Sequence, residues 1–245
     1  MPDVNPWLPL PPGSPDAHPV YCLPYAGGSA AIYRPWRRQA PPGIAVVPVQ
    51  PPGRRERFEE PPLTSAVAMA EQAGAAILPT LRGPYSLFGI SMGALVAFEL
   101  AHWLSERGRP PVRLFVASYP APHVPRTLPR VHDSPDSTVV ELLSALRVTP
   151  PEILASEEMR NLLMPLIRAD LAVTETYVPR VREPLRMPVT VLRGVDDPHL
   201  SEDSARAWST LTSAACTVQR FDAGHFLVHE RPAEVLRLLA APAAG

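Results

Sequence analysis

The chain has 245 residues, 46% of them hydrophobic, enough apolar material for one well-filled α/β core. Its net charge of -1 and pI of about 6.7 argue against nucleic acid or an anionic membrane as partner. All 23 basic residues are arginines, which excludes Schiff-base lysine chemistry, pyridoxal phosphate included, and a P-loop. No stretch approaches the ~20 apolar residues of a membrane span, and the first residues lack the basic start and long apolar run of a signal peptide. A soluble, cytoplasmic protein is expected. Cys22 and Cys216 fall in or beside predicted strands far apart in the chain and read as two buried thiols rather than a disulfide.

Residues 1–17 read as a proline-rich, extended arm with Trp7 as its candidate anchor, ahead of a single domain over 18–245. Short apolar runs bounded by Gly and Pro then predict buried parallel strands at 20–23, 44–49, 85–90, 112–117, 189–192 and 217–221. Helical patterns at 65–81, 92–106, 201–214 and 233–239 alternate with them. Such alternation means a mostly parallel sheet with helices on both faces, an α/β fold. One segment breaks it. Between Pro120 and Pro188 there is no convincing strand, only helical pieces at 139–146, 151–154 and 159–177. An insertion of about this size, near 121–187, is too long for a bare loop. It is expected to form a helical lid over the sheet's C-terminal edge, where open α/β sheets bind ligands.

Gly89-Ile90-Ser91-Met92-Gly93 is the one Gly-x-Ser-x-Gly of the chain, and it joins a predicted strand to a predicted helix. That setting turns a serine into a nucleophile: the sharp turn pushes Oγ out of the sheet, and the flanking glycines remove Cβ atoms where strand and helix pass closely. The hydroxyl needs a base oriented by a carboxylate, and on such sheets the order along the chain is Ser, acid, His. Of seven histidines, His18 precedes the serine, His102 lies in the following helix, and His123 and His132 belong to the insertion. His199 follows an aspartate pair, and His229 leads toward the last helix. His225 directly follows Phe221-Asp-Ala-Gly224, a strand end and a turn, and is the expected base. The acid is sought after a later strand. Ser118-Tyr-Pro-Ala-Pro122 offers no carboxylate, whereas Arg193-Gly-Val-Asp-Asp197-Pro198 offers two. Asp196 and Asp197 compete; Asp197 is preferred because it sits at the turn itself, with Asp196 bonding locally. The oxyanion needs two donors. The backbone N–H of Met92 supplies one, and that of Ala26, in the loop Pro24-Tyr-Ala-Gly-Gly-Ser-Ala30, is the candidate for the other.

Taken together these segments resemble the type II thioesterases, α/β-hydrolases that accompany polyketide synthases and nonribosomal peptide synthetases. The resemblance covers nearly the whole chain. It rests on Leu23-Pro-Tyr-Ala-Gly-Gly-Ser-Ala30, Val49-Gln-Pro-Pro-Gly-Arg-Arg-Glu-Arg57 and Phe88-Gly-Ile-Ser-Met-Gly-Ala94. Arg168-Ala-Asp170 with Glu175-Thr-Tyr177, and the loops at Gly194 to Pro198 and Phe221 to Phe226, complete it. The Gln-Pro-Pro-Gly-Arg and Arg-Ala-Asp pieces separate this family from ordinary esterases. Three positions depart: Ile90 and Tyr25 stand where the family commonly has histidine, and Arg147-Val-Thr149 stands where it has Gly-Gly-Thr. Tyr25 and Ile90 fall beside the expected reacting centre and bear on rate and acyl preference.

The resemblance implies hydrolysis of an acyl or peptidyl thioester on the phosphopantetheine arm of a carrier protein, without metal or organic cofactor; oligomeric state is open, with a monomer as the default. It implies that the insertion forms the acyl chamber, for which Leu162, Leu163, Met164 and Leu166 are candidate lining residues, each equally readable as helix core. Carrier proteins are usually acidic, so Arg34, Arg37 and Arg38, or Arg54, Arg55 and Arg57, are candidate docking patches. Two rival readings stay open at this level: a carboxylesterase or lipase-like hydrolase with the same triad, and an inactive hydrolase fold used as a binding module.

Overall fold

Parallel strands that are apolar throughout need cover on both faces. A computed structural model of the chain describes residues 5–10, 13–14, 16–146 and 155–242. Among these residues six strands form one sheet: β1 (His18–Leu23), β2 (Ile44–Pro48), β3 (Ser86–Ile90), β4 (Arg113–Ala117), β5 (Val189–Gly194) and β6 (Cys216–Phe221). Every pairing is parallel, in the order β2-β1-β3-β4-β5-β6. The helices are α1 (Arg34–Gln39), α2 (Ala66–Ile77), α3 (Met92–Glu106), α4 (Asp136–Leu146), α5 (Glu157–Glu175), α6 (Glu202–Arg206), α7 (Leu227–Glu230) and α8 (Pro232–Ala240).

Side-chain alternation along the strands sorts the core into two layers. Leu87, Leu114, Val116 and Val191 pack with Met69 and Ala73 of α2 and Leu95 of α3. Phe88, Ile90 and Phe115 point the other way, toward Trp36 of α1 and Val235 and Leu239 of α8. The strands lie where the apolar runs place them. Helices shorter than two turns are less regular. The predicted helix at 201–214 is α6 followed by a 3-10 turn over Ala207–Leu211, and α1 and α7 were not anticipated. Cys22 is buried and Cys216 half-buried, both as free thiols. The expectation of two buried thiols fails at Cys216, which opens the edge strand β6, whose outer face is exposed.

The chain passes from β1 to β2 on one side and to β3 on the other, so the order reverses between β1 and β3. In such sheets the crevice at that reversal, beyond the strands' carboxyl ends, is where ligands bind. Leu23 pairs with Gly89 there, and α3 starts so close that Cβ atoms have no room. A Cβ on Gly89 would lie 2.1 Å from the Gly93 carbonyl oxygen, and one on Gly93 would lie 2.4 Å from that of Leu23. Gly93→Ala is therefore expected to lower the unfolding free energy by about 1–3 kcal/mol, read by urea denaturation. Gly83→Ala is the control: a Cβ there meets nothing within 4 Å, so its midpoint stays near that of the parent chain.

Between β4 and β5 the described residues form α4 and α5. Ser156 caps α5 by accepting from the Met159 N–H at 3.3 Å, and Glu157 and Glu158 favour its first turn. Pro165 lies inside the helix and cannot donate to the carbonyl one turn back. Arg168 ties the two helices together, bonding the Asp136 carboxylate and the His132 carbonyl oxygen. The helical piece expected at 151–154 and the Arg147-Val-Thr149 departure lie outside the described residues, as do parts of the N-terminal arm. Trp7, the expected anchor, is only 6% exposed and packs in the core with Arg57 over its ring at 4.7 Å. Among the described residues no helix is long and apolar enough to cross a membrane.

Candidate active site

Ser91 occupies the turn between β3 and α3 with φ 53° and ψ −122°, a conformation that costs a non-glycine residue about 1–3 kcal/mol. A serine at a helix N-cap usually accepts from the first turn; here it makes no such bond. Its Oγ lies instead 3.2 Å from His225 Nε2. His225 Nδ1 is 3.0 Å from Asp197 Oδ2, and Asp197 Oδ1 accepts the His199 N–H at 2.9 Å. Asp197 is 4% exposed, whereas Asp196 is exposed at the surface, so the geometry separates the competing pair. Burial alone would push the Asp197 carboxyl up. The hydrogen bond and charge of His225, with the contacts to His199, outweigh it and hold the carboxyl below its usual range.

The elements that set these groups are strand ends. Asp197 follows β5 and His225 follows β6, whose registers bring Gly194 opposite Phe221. Ser118, which follows β4 with φ 53°, donates its hydroxyl to the His225 carbonyl oxygen at 2.7 Å and fixes the loop that carries the imidazole. His199 stands edge-on to His225, its ring centroid 5.6 Å away, and burial followed by the His225 charge lowers its pKa.

The loop after β1 completes the site. Ala26 and Met92 line the same cavity as Ser91. The neighbouring amides are occupied: Gly27 N–H donates to Asp170 Oδ2 at 2.7 Å, and Gly28 N–H to the Tyr25 carbonyl oxygen at 2.9 Å. Among the described residues the Ala26 and Met92 N–H groups have no protein acceptor. Asp170, from α5, also takes both ends of the Arg54 guanidinium at 2.9 and 2.8 Å, and Arg54 donates to the Gly28 carbonyl oxygen at 2.9 Å. This corrects the docking patch proposed from sequence. Arg54 and Arg57 are buried and paired, Arg57 with Glu60 and the Gln50 carbonyl oxygen, leaving only Arg55 of that trio exposed.

Two further expectations change. Ile90 is fully buried in the layer formed with α1 and α8, so its side chain points away from the cavity, as alternation along β3 requires. Tyr25 does face the cavity; its hydroxyl meets His229 Nε2 at 2.9 Å and its ring stands edge-on to Phe226. The chamber is lined by Leu142 and Leu143 of α4 and by Leu171, Thr174 and Glu175 of α5. None of Leu162, Leu163, Met164 and Leu166 lines it: Leu162 is exposed, and Met164 packs with Val139 and Leu143. Positions 171, 174 and 175 share one helix face, which the hydrophobic pattern of 162–166 did not reveal. Among the described residues no group of three or more His, Cys, Asp or Glu side chains is arranged to hold a metal ion.

The parallel sheet, the strained serine turn and the strand-end placement of aspartate and histidine are those of an α/β-hydrolase. The profile of the thioesterase domain family matches residues 18–242, and the chain belongs to the thioesterase family, as a type II thioesterase. It is 37% identical to linear gramicidin dehydrogenase LgrE of Brevibacillus parabrevis over 90% of this chain and 85% of that one. It is 34% identical to gramicidin S biosynthesis protein GrsT of Aneurinibacillus migulanus, over 91% and 90%. Among solved structures, the type II thioesterase BorB from the borrelidin biosynthetic cluster superposes with a TM-score of 0.86 at 37% identity, covering 94% of each chain. The activity is thioester hydrolysis.

Proposed function

We propose that the chain releases acyl or peptidyl groups from the phosphopantetheine arm of carrier proteins serving polyketide or nonribosomal peptide synthesis. The observation that carries this reading is the Ser91–His225–Asp197 chain of contacts opening into an apolar cavity walled by the β4–β5 insertion. The relatives named for gramicidin and borrelidin synthesis support the carrier-bound substrate.

Ser91 Oγ attacks the thioester carbonyl carbon as His225 Nε2 takes its proton. Asp197 holds the imidazole in the tautomer that can accept it. The backbone N–H groups of Ala26 and Met92 stabilise the oxyanion. The C–S bond breaks and His225 returns the proton to the leaving thiolate. Water then attacks the acyl-serine with His225 again as base, so thioester and water become carboxylic acid and thiol. Residues 18–245 act as one hydrolase domain, with about 121–187 as its lid and 1–17 as an arm. A cytoplasmic setting belongs to the same proposal.

The test is a panel of acyl-loaded carrier proteins followed by mass spectrometry, beside oxygen esters of equal chain length. Release of acid from carriers in preference to oxygen esters is expected. Faster turnover of the oxygen esters, or no deacylation of any carrier, would sink the reading.

A further inference from the structure

The chamber that holds Ser91 and His225 has further polar groups in its lining. Arg126, Thr174 and Glu175 line both the cavity that contains Ser91 and a second cavity adjoining it. Glu175 is 1% exposed. Its Oε2 is fully engaged, accepting the Val131 N–H at 2.9 Å, the His132 N–H at 2.9 Å and His132 Nδ1 at 2.7 Å. Its Oε1 has no hydrogen-bond partner among the described residues. Arg126 Nη2 lies 3.8 Å from Oε1, too far for a hydrogen bond. Arg126 is itself loosely held, by contacts of 3.4 Å to Thr174 Oγ1 and 3.5 Å to the Pro129 carbonyl oxygen. The mechanism uses neither side chain.

A buried acceptor without a donor is costly unless a ligand or water supplies one. The 3.8 Å gap says which kind. A single hydroxyl oxygen can donate to Oε1 and accept from Nη2 at once, at ordinary lengths and with about 85° between the two contacts. A trans amide cannot, because its N–H and C=O point apart. An alkyl chain leaves both groups unmet, and an ammonium would face the arginine. We propose that Arg126 and Glu175 form a hydroxyl-binding subsite, and that this thioesterase favours thioesters carrying a hydroxyl that reaches this pair. The inference rests on the thioesterase reading of the Ser91 cavity. The hydroxyl has two sources, the acyl group or the pantetheine arm.

The test crosses both. Hexanoyl and each monohydroxyhexanoyl group are presented on pantetheine and on ethanethiol, and kcat/KM is measured for the parent chain, Glu175→Gln and Arg126→Met. In Glu175→Gln the amide oxygen must still serve Val131 and His132, so an N–H donor replaces the free acceptor. At least one hydroxyl-bearing thioester is expected to exceed its plain counterpart by about 10- to 100-fold, and both variants should collapse that ratio. A preference that follows the acyl hydroxyl places the acyl group there; one that follows pantetheine places the arm there. A flat ratio in the parent chain, as water alone in the subsite would give, overturns the proposal. So does an equal fall on hydroxylated and plain substrates, which would mark a structural role. Should Glu175→Gln not fold, Arg126→Met, at a side chain 30% exposed, decides alone. Turnover with a flat ratio removes only the subsite, whereas no turnover of any thioester removes the function as well.

Discussion

Ser91→Ala lowers kcat for thioester hydrolysis by about 10⁴- to 10⁶-fold while leaving the urea midpoint near that of the parent chain. The nucleophile is lost, but the cavity and the Ala26 and Met92 amides remain, so a residue of catalysis over water survives. His225→Ala costs a similar factor, because Ser91 Oγ at 3.2 Å then has no base. The double variant is no worse than either single one, since the two side chains act as a unit. Asp197→Asn falls by about 10⁴-fold for another reason: the amide can donate to Nδ1 and favours the wrong imidazole tautomer. Single-turnover kinetics on an acyl-loaded carrier measure all four. Wild-type rates in Ser91→Ala, or additive losses in the double variant, would contradict the assigned roles.

The second large effect is expected at a residue that touches no substrate. Asp170→Asn leaves the Arg54 guanidinium buried without its counter-charge; the two side chains are 0% and 3% exposed. Removing one partner of such a pair costs about 3–5 kcal/mol, read as a lower urea midpoint. It also lowers kcat, because Gly27 loses the carboxylate that accepts its N–H at 2.7 Å, next to the Ala26 amide. Replacing both partners by apolar residues, Arg54→Met with Asp170→Leu, separates the two effects. Much of the stability returns, since no charge is stranded, but the rate does not, since Gly27 and Gly28 are still unanchored. Recovery of both would show that the pair matters to folding alone.

The sheet was legible because each strand is a short apolar run cut off by Gly or Pro, and α3 because its pattern continues for 15 residues. α1 has six residues with a proline at its start, too few for a period to show. Ser91 and His225 were legible for the same reason as the strands, since a strand end is where such groups project. What local pattern could not carry was partnership at a distance. Arg54-Arg55-Glu56-Arg57 reads as a solvated charge run, yet Arg54 is buried against a carboxylate 116 positions away. Which face of α5 looks into the cavity depends on how α4 and α3 seat it, so Leu171 and Glu175 could not be told from Leu162 and Leu166. Ile90 was misplaced because adjacency to Ser91 in sequence means the opposite face of the sheet in space.

The clamp between α5 and the loop after β1 has a mechanical side. Gly27 hangs on Asp170, and Asp170 rides on the half of α5 that follows Pro165. The loop that presents the Ala26 amide is therefore not self-supporting. Lifting the whole helix to admit a bulky acyl arm would slacken the loop and disarm the enzyme for as long as the helix stayed up. Bending it at Pro165, so that only the half beginning at Glu157 swings out, would widen the entrance with the trigger still set.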